Sequence, residues 1–108
     1  MNKNRPYVIV SIKWLLTAEE EFLYPRDPRV AITGYRAGRG IGDIFSVVVE
    51  FLEAVNSGTR GATRATIQAL AEEMESRLPT VGETFVLTAG TKPVADCVVL
   101  EKILDPKQ

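Results

Sequence analysis

The stretch Gly82-Glu83-Thr84-Phe85-Val86-Leu87-Thr88-Ala89-Gly90-Thr91-Lys92-Pro93-Val94-Ala95-Asp96-Cys97-Val98-Val99 constrains the fold of this chain more than any other. Two short runs rich in β-branched and apolar residues flank a turn centred on Gly90, which is the signature of a β-hairpin. Two earlier segments read the same way. From about Tyr7 to Leu16, Val8, Val10, Ile12 and Trp14 alternate with Ile9, Ser11, Lys13 and Leu15, giving one cleanly apolar face and one mixed face. From Ile44 to Leu52, Phe45, Val47, Val49 and Phe51 share one face, and the other is also largely apolar. Such a strand is covered on both sides or closes a tight barrel. Val30-Ala31-Ile32-Thr33 adds a short strand that runs into Gly34.

Between these strands the chain is punctuated by breakers. Thr17-Ala18-Glu19-Glu20-Glu21 makes a polar turn, and the prolines of Tyr24-Pro25-Arg26-Asp27-Pro28 bias their predecessors away from helix. Asn56-Ser57-Gly58-Thr59-Arg60-Gly61 is a loop by composition. Gly38, Gly40 and Gly42 alternate with other residues, a spacing that fits neither a dinucleotide-binding nor a phosphate-cradling loop and marks a turn.

Two of these features carry a family resemblance. The closing hairpin resembles, without a gap, that of the third domain of elongation factor Tu, in which a strand Arg-Phe-x-Leu-Arg runs into Glu-Gly-Gly-Arg-Thr-Val-Gly-x-Gly-Val-Val. Thr33-Gly34-Tyr35-Arg36 is similar to the Ser-Gly-Tyr-Arg-Pro of the same domain, and Gly42-Asp43 to the Gly-Asp or Gly-Glu pair before its comparable strand. The resemblance covers about half to two thirds of the chain by matched elements. It implies a mainly β fold, a small antiparallel Greek-key barrel spanning residues 1–108 as a single domain.

One segment departs from that barrel. Thr63 is a residue type that caps helices, and Ile67, Leu70, Ala71, Met74 and Leu78 recur at helical spacing among Gln68, Glu72, Glu73, Glu75 and Arg77, with Pro79 as a stop. The spacing predicts an inserted amphipathic helix over about 64–78, packed on its own barrel.

At 108 residues the chain is long enough to bury one core. No apolar run approaches the ~18 residues of a membrane span. Lys3 and Arg5 precede an apolar stretch, but Lys13 interrupts it and no small-residue cleavage site comes after, so it reads as a strand and not a leader. A single cysteine, Cys97, cannot form an internal disulfide, and the expected location is cytoplasmic.

For function, the sequence points away from chemistry. There is no histidine, the commonest general base and metal ligand near neutral pH. Cys97 sits inside a strand pattern without neighbouring cations, metal-ligand spacings are missing, and the acids at 72, 73 and 75 read as a solvated face. No catalytic residue, metal or cofactor is expected. A binding role remains. Net charge is −1, yet Arg26, Arg29, Arg36 and Arg39 accompany only Asp27 between positions 26 and 39, and Arg60 and Arg64 lie in the later loop. In the family the domain contacts the T-stem of aminoacyl-tRNA, the nucleotide-exchange factor and its own GTPase domain. The resemblance therefore implies a site for tRNA, RNA backbone or a translation-related protein at Arg36 and Lys92, with Lys92 in place of the family's arginine, and the loop cations Arg29 and Arg39 are read with them as a phosphate-reading patch. Lysine keeps the charge there but loses the bidentate fork. Gly34 and Gly90 are expected to serve backbone geometry, Tyr35 packing, and Arg36 the rim. The alternative is a protein-interaction, inhibitor or immunity-type protein, or a homo-oligomer, with no nucleic-acid binding.

Overall fold

The computed structural model describes residues 5–15, 29–52, 63–90 and 92–104. The polar turn at 17–21, the proline segment 24–28, the 56–61 loop with Arg60, and Thr91 lie outside the described residues. Among the described residues there are six strands: β1 (Tyr7–Trp14), β2 (Arg29–Arg36), β3 (Phe45–Phe51), β4 (Thr63–Ala69), β5 (Thr84–Ala89) and β6 (Lys92–Ile103). They close into a barrel in the order β1-β4-β3-β2-β5-β6, with every ladder antiparallel. β2, β3 and β4 are sequential neighbours. β1 skips two strands to pair with β4, a Greek-key step, and its other side pairs with β6 to complete the ring.

The alternation read in the sequence is the alternation that builds the core. Val8, Val10, Ile12 and Trp14 of β1 point inward and are buried, as are Phe45, Val47, Val49 and Phe51 of β3. Phe85 and Leu87 from β5 and Val94, Ala95, Cys97 and Val99 from β6 complete the lining. Each end of the barrel is filled by an aromatic pair. Trp14 and Phe51 stand 6.2 Å apart at one end, and Phe45 meets Phe85 edge-on at 5.6 Å at the other. Such pairs add about 1 kcal/mol to the area they bury.

The helix expected over about 64–78 does not form. Residues 63–69 are instead β4, hydrogen-bonded between β1 and β3, with Val8↔Ile67 and Val49↔Ile67 in register. Thr63 opens this strand in place of starting a helix. Two properties of the segment account for the difference. Polar Arg64, Thr66 and Gln68 alternate with apolar Ala65, Ile67 and Ala69, the period of a strand, which turns the apolar set inward while Thr66 and Gln68 are also covered on the outer face. The helical spacing of Ile67, Leu70, Met74 and Leu78 is then accidental: Ile67 lies inside the barrel, Leu70 is exposed, and only Met74 and Leu78 pack from beyond the strand. β-Branched Thr63, Thr66 and Ile67 suit a closed sheet better than a helix.

After β4 the chain makes a six-residue 3-10 segment, Glu72–Arg77, which carries Leu78 onto one end of the barrel. Leu78 and Pro79 are fully buried there, and Met74 packs beside the core. Polar contacts fasten this lid. Arg5 Nε donates to Glu75 Oε2 at 2.6 Å, and its Nη atoms donate to the carbonyls of Ala69 and Leu70 at the end of β4. Arg77 pairs with Asp43 at 3.4 Å, and Lys102 Nζ donates to the Leu78 carbonyl. The lidded end is formed by Tyr7, Arg36, Phe45, Ala69, Thr84 and Ile103, and the opposite end by Trp14, Arg29, Phe51, Thr63, Ala89 and Lys92.

Two glycines have specific reasons. Gly90 has φ +63 in the β5–β6 turn, a backbone region that penalises a side chain. Gly34 has no such φ. It faces inward on β2, opposite Leu87 and next to Phe85, and a Cβ there would fall on the Phe85 ring and within 2.8 Å of the Val86 carbonyl. Its role is close approach and not turn geometry.

Candidate binding surfaces

The four cations expected to form one patch are divided between the two ends of the barrel. Arg36 and Arg39 belong to the lidded end, and Arg29 and Lys92 to the opposite rim. Arg29 and Arg36 terminate the same eight-residue strand, which separates their backbones by roughly 23 Å. Lys92, Arg29 and Arg39 are exposed.

Arg36 is engaged inside the protein. Its position on β2 is inward-facing, paired with Phe85, and its Nε lies 3.5 Å from Glu83 Oε2 as an ion pair without a hydrogen bond. Glu83 in turn accepts from the Thr80 backbone N–H at 2.6 Å and from the Thr80 hydroxyl at 2.8 Å. Those two bonds, followed by the nearby charges of Arg36 and Lys102, hold the Glu83 carboxyl below its ordinary range against a modest opposing cost of burial. Arg39 sits in the 37–39 turn, where its backbone N–H donates to the Arg36 carbonyl. Tyr35 lies on the outward face of β2, half-buried opposite Val86.

Cys97 lies on the inner face of β6. Burial, with a smaller contribution from the Asp96 charge, pushes its thiol far above the usual thiol range. A thiol that cannot ionise is a poor nucleophile. Native protein is therefore expected to be inert to Ellman's reagent at pH 8, with labelling appearing only as denaturant unfolds the barrel. Rapid labelling without denaturant would show that the inner face is accessible. The sign of the linkage is also fixed. The folded thiol keeps its proton to higher pH than the unfolded one, so this group's contribution is complete below the ordinary thiol range and is lost as pH rises above it. Among the described residues, no three or more acidic, cysteine or histidine side chains gather to hold a metal ion. No helix among them is long and apolar enough to cross a membrane.

The feature that sequence reading missed is the outer face of β1 and β6. The register brings Tyr7 opposite Ile103, Ile9 opposite Glu101, Ser11 opposite Val98 and Lys13 opposite Asp96. A register shift between Ile9 and Val10 leaves Leu100 as an extra residue, a β-bulge that turns Leu100 and Glu101 outward together. Val98 and Leu100 are 45% and 49% exposed. The turn at 80–83 is tied to the same strand by the bond from Gly82 N–H to the Val99 carbonyl, which adds exposed Val81, and Leu104 succeeds Ile103 at the strand's end. The signal is present in the uninterrupted apolar run Cys97-Val98-Val99-Leu100, because consecutive residues of a single strand cannot all point inward. No family model, no curated protein and no solved structure matches this chain.

Proposed function

We propose that this chain is a non-catalytic binding barrel, of the kind used as the third domain of elongation factor Tu, and that it engages protein through the outer face of β1 and β6. The observation that carries this reading is exposed Val98 and Leu100 on β6 beside half-buried Tyr7, Ile9 and Ile103, with exposed Val81 and Leu104 in the segments next to that strand. Apolar surface gathered on one face marks an interaction site more often than scattered exposure does. The distribution of cations supports protein over RNA. A phosphate-reading surface needs several cations within reach of one backbone, whereas Arg36 is paired with Glu83 and the others are divided between the barrel's ends.

Site-specific photocross-linking tests this reading. A benzophenone side chain is placed at position 98, or at position 46 on exposed Ser46 of β3 as a control, and the cells are irradiated. Protein adducts from position 98 and none from position 46 are expected. A nuclease-sensitive adduct would replace the protein reading with an RNA one, and tRNA binding that collapses with salt and falls on Arg39→Ala would say the same. No adduct from position 98 would sink the proposal.

A further inference from the structure

Resting on the reading of this face as a protein interface, we infer that its occupant is a second copy of the same chain. The argument is the charge pattern of the face. Along the facing rows of β1 and β6, between Tyr7 and Lys13 and between Asp96 and Ile103, the outward charges are Lys13, Asp96 and Glu101. Lys13 and Asp96 stand directly opposite one another at one end of the pair, and Glu101 shares the bulge with Leu100. The rest of the face is Tyr7, Ile9, Ser11, Val98, Leu100 and Ile103.

A two-fold axis lying in the interface and running along the boundary between β1 and β6 exchanges these strands between copies. Each residue then meets its own cross-strand neighbour from the second molecule. Ile9 meets the bulge of Leu100 and Glu101, with Glu101 as its registered neighbour, Tyr7 packs on Ile103, and Ser11 on Val98. Lys13 meets Asp96 of the second copy, and the symmetry makes that contact twice. A surface whose opposite charges are neighbours across a ladder is complementary to itself under this operation, as an isologous interface requires. The strands of the two barrels then run nearly aligned, the ordinary arrangement for packed sheets about 10 Å apart. Because each copy contributes two strands of a convex barrel, the contact is at the small end of protein interfaces. The association is therefore reversible, with Kd on the order of 10 μM.

Sedimentation velocity from about 1 to 300 μM reads this directly, a span chosen to bracket that Kd. Wild-type chain is expected to shift from monomer to dimer across the range. Lys13→Glu and Asp96→Lys, each alone, place like charges across the axis, and dimer affinity is expected to fall at least about tenfold, which corresponds to about 1.4 kcal/mol. Mixing the two variants restores it. The glutamate introduced at position 13 of one copy then meets the lysine introduced at position 96 of the other, and the unchanged Asp96 of the first meets the unchanged Lys13 of the second. Within each variant the neighbouring charges remain alike, so an effect on folding alone is not rescued by mixing. Leu100→Lys is expected to abolish association without touching the charge pair. A monomeric wild type at the highest concentration, or a mixture no tighter than its components, would overturn the inference. If that result comes with a cross-link from position 98 to a different protein, the face remains an interface and only the second copy is excluded. If it comes with no adduct, the interface reading falls too.

Discussion

Gly34→Ala is expected to lower stability by about 3 kcal/mol or more, which is roughly a 15 °C loss in Tm for a domain of this size. A methyl group at this position cannot be accommodated by a small adjustment. It would fall on the Phe85 ring and lie 2.8 Å from the Val86 carbonyl, and the second of these is backbone held in the β2–β5 ladder. The ring itself is fully buried and packed edge-on against Phe45, so it has nowhere to rotate. Thermal melts of the variant check the magnitude, and a double-mutant cycle checks the cause. In a Phe85→Leu background the alanine meets a smaller side chain, and its cost is expected to fall by about 1 kcal/mol or more, a coupling typical of residues in contact. Equal costs in both backgrounds would place the strain elsewhere, most simply at the Val86 carbonyl.

The second large effect belongs to the lid. Leu78→Ala is expected to cost about 3 kcal/mol, as for a buried leucine truncated at a site that collapses poorly. The mechanism is specific to its position. Leu78 comes from outside the sheet and covers the end of a core otherwise made by strands, so its loss exposes the barrel interior and does not merely leave a void within it. The contacts of Arg5 with Glu75 and of Arg77 with Asp43 continue to hold the 3-10 segment in place over the gap. Chemical denaturation is expected to show a lower midpoint, and binding of an apolar dye to the folded variant is expected to rise. An alanine variant as stable as wild type would show that the lid is dispensable and that Phe45 and Phe85 close the barrel unaided.

How much of this is legible in the chain depends on whether a residue's environment is local. β1 and β3 are legible because their inward rows are apolar at every second position, and the β5–β6 hairpin because its two runs are joined by a tight turn. β4 is not. Its alternation of Arg64, Thr66 and Gln68 with Ala65, Ile67 and Ala69 is overlaid by the helical spacing that Ile67 shares with Leu70, Met74 and Leu78, and the burial of Thr66 and of Gln68, which donates to the Arg5 carbonyl, comes from other parts of the fold. The arginines are legible as charges but not as a site. Glu83, the partner of Arg36, lies 47 positions further along the chain, and Arg5 finds Glu75 across 70. The β-bulge at Leu100 is a property of two strands in register and leaves no mark on either sequence alone. Gly34 stands out in the sequence as a residue of backbone geometry, yet what it does is leave room for a ring that lies 51 positions away.

The closure of the barrel through β1 also orders events in time. Three ladders can form early: β2–β3 and β3–β4 join successive strands and β5 joins β6 across a tight turn, whereas β2 meets β5 across about 50 residues. β1 has neither advantage, since Ile12 finds Thr63 and Cys97, partners about 50 and 85 residues downstream. Pairings at such separations make folding slow, because the entropy of closing the intervening chain must be met before any contact rewards it. During synthesis β1 therefore emerges ahead of every partner it will have. Its buried row, Val8, Val10, Ile12 and Trp14, stays open on one side until β4 has left the ribosome and on the other until β6 has, a window in which a chaperone would find an apolar strand to hold.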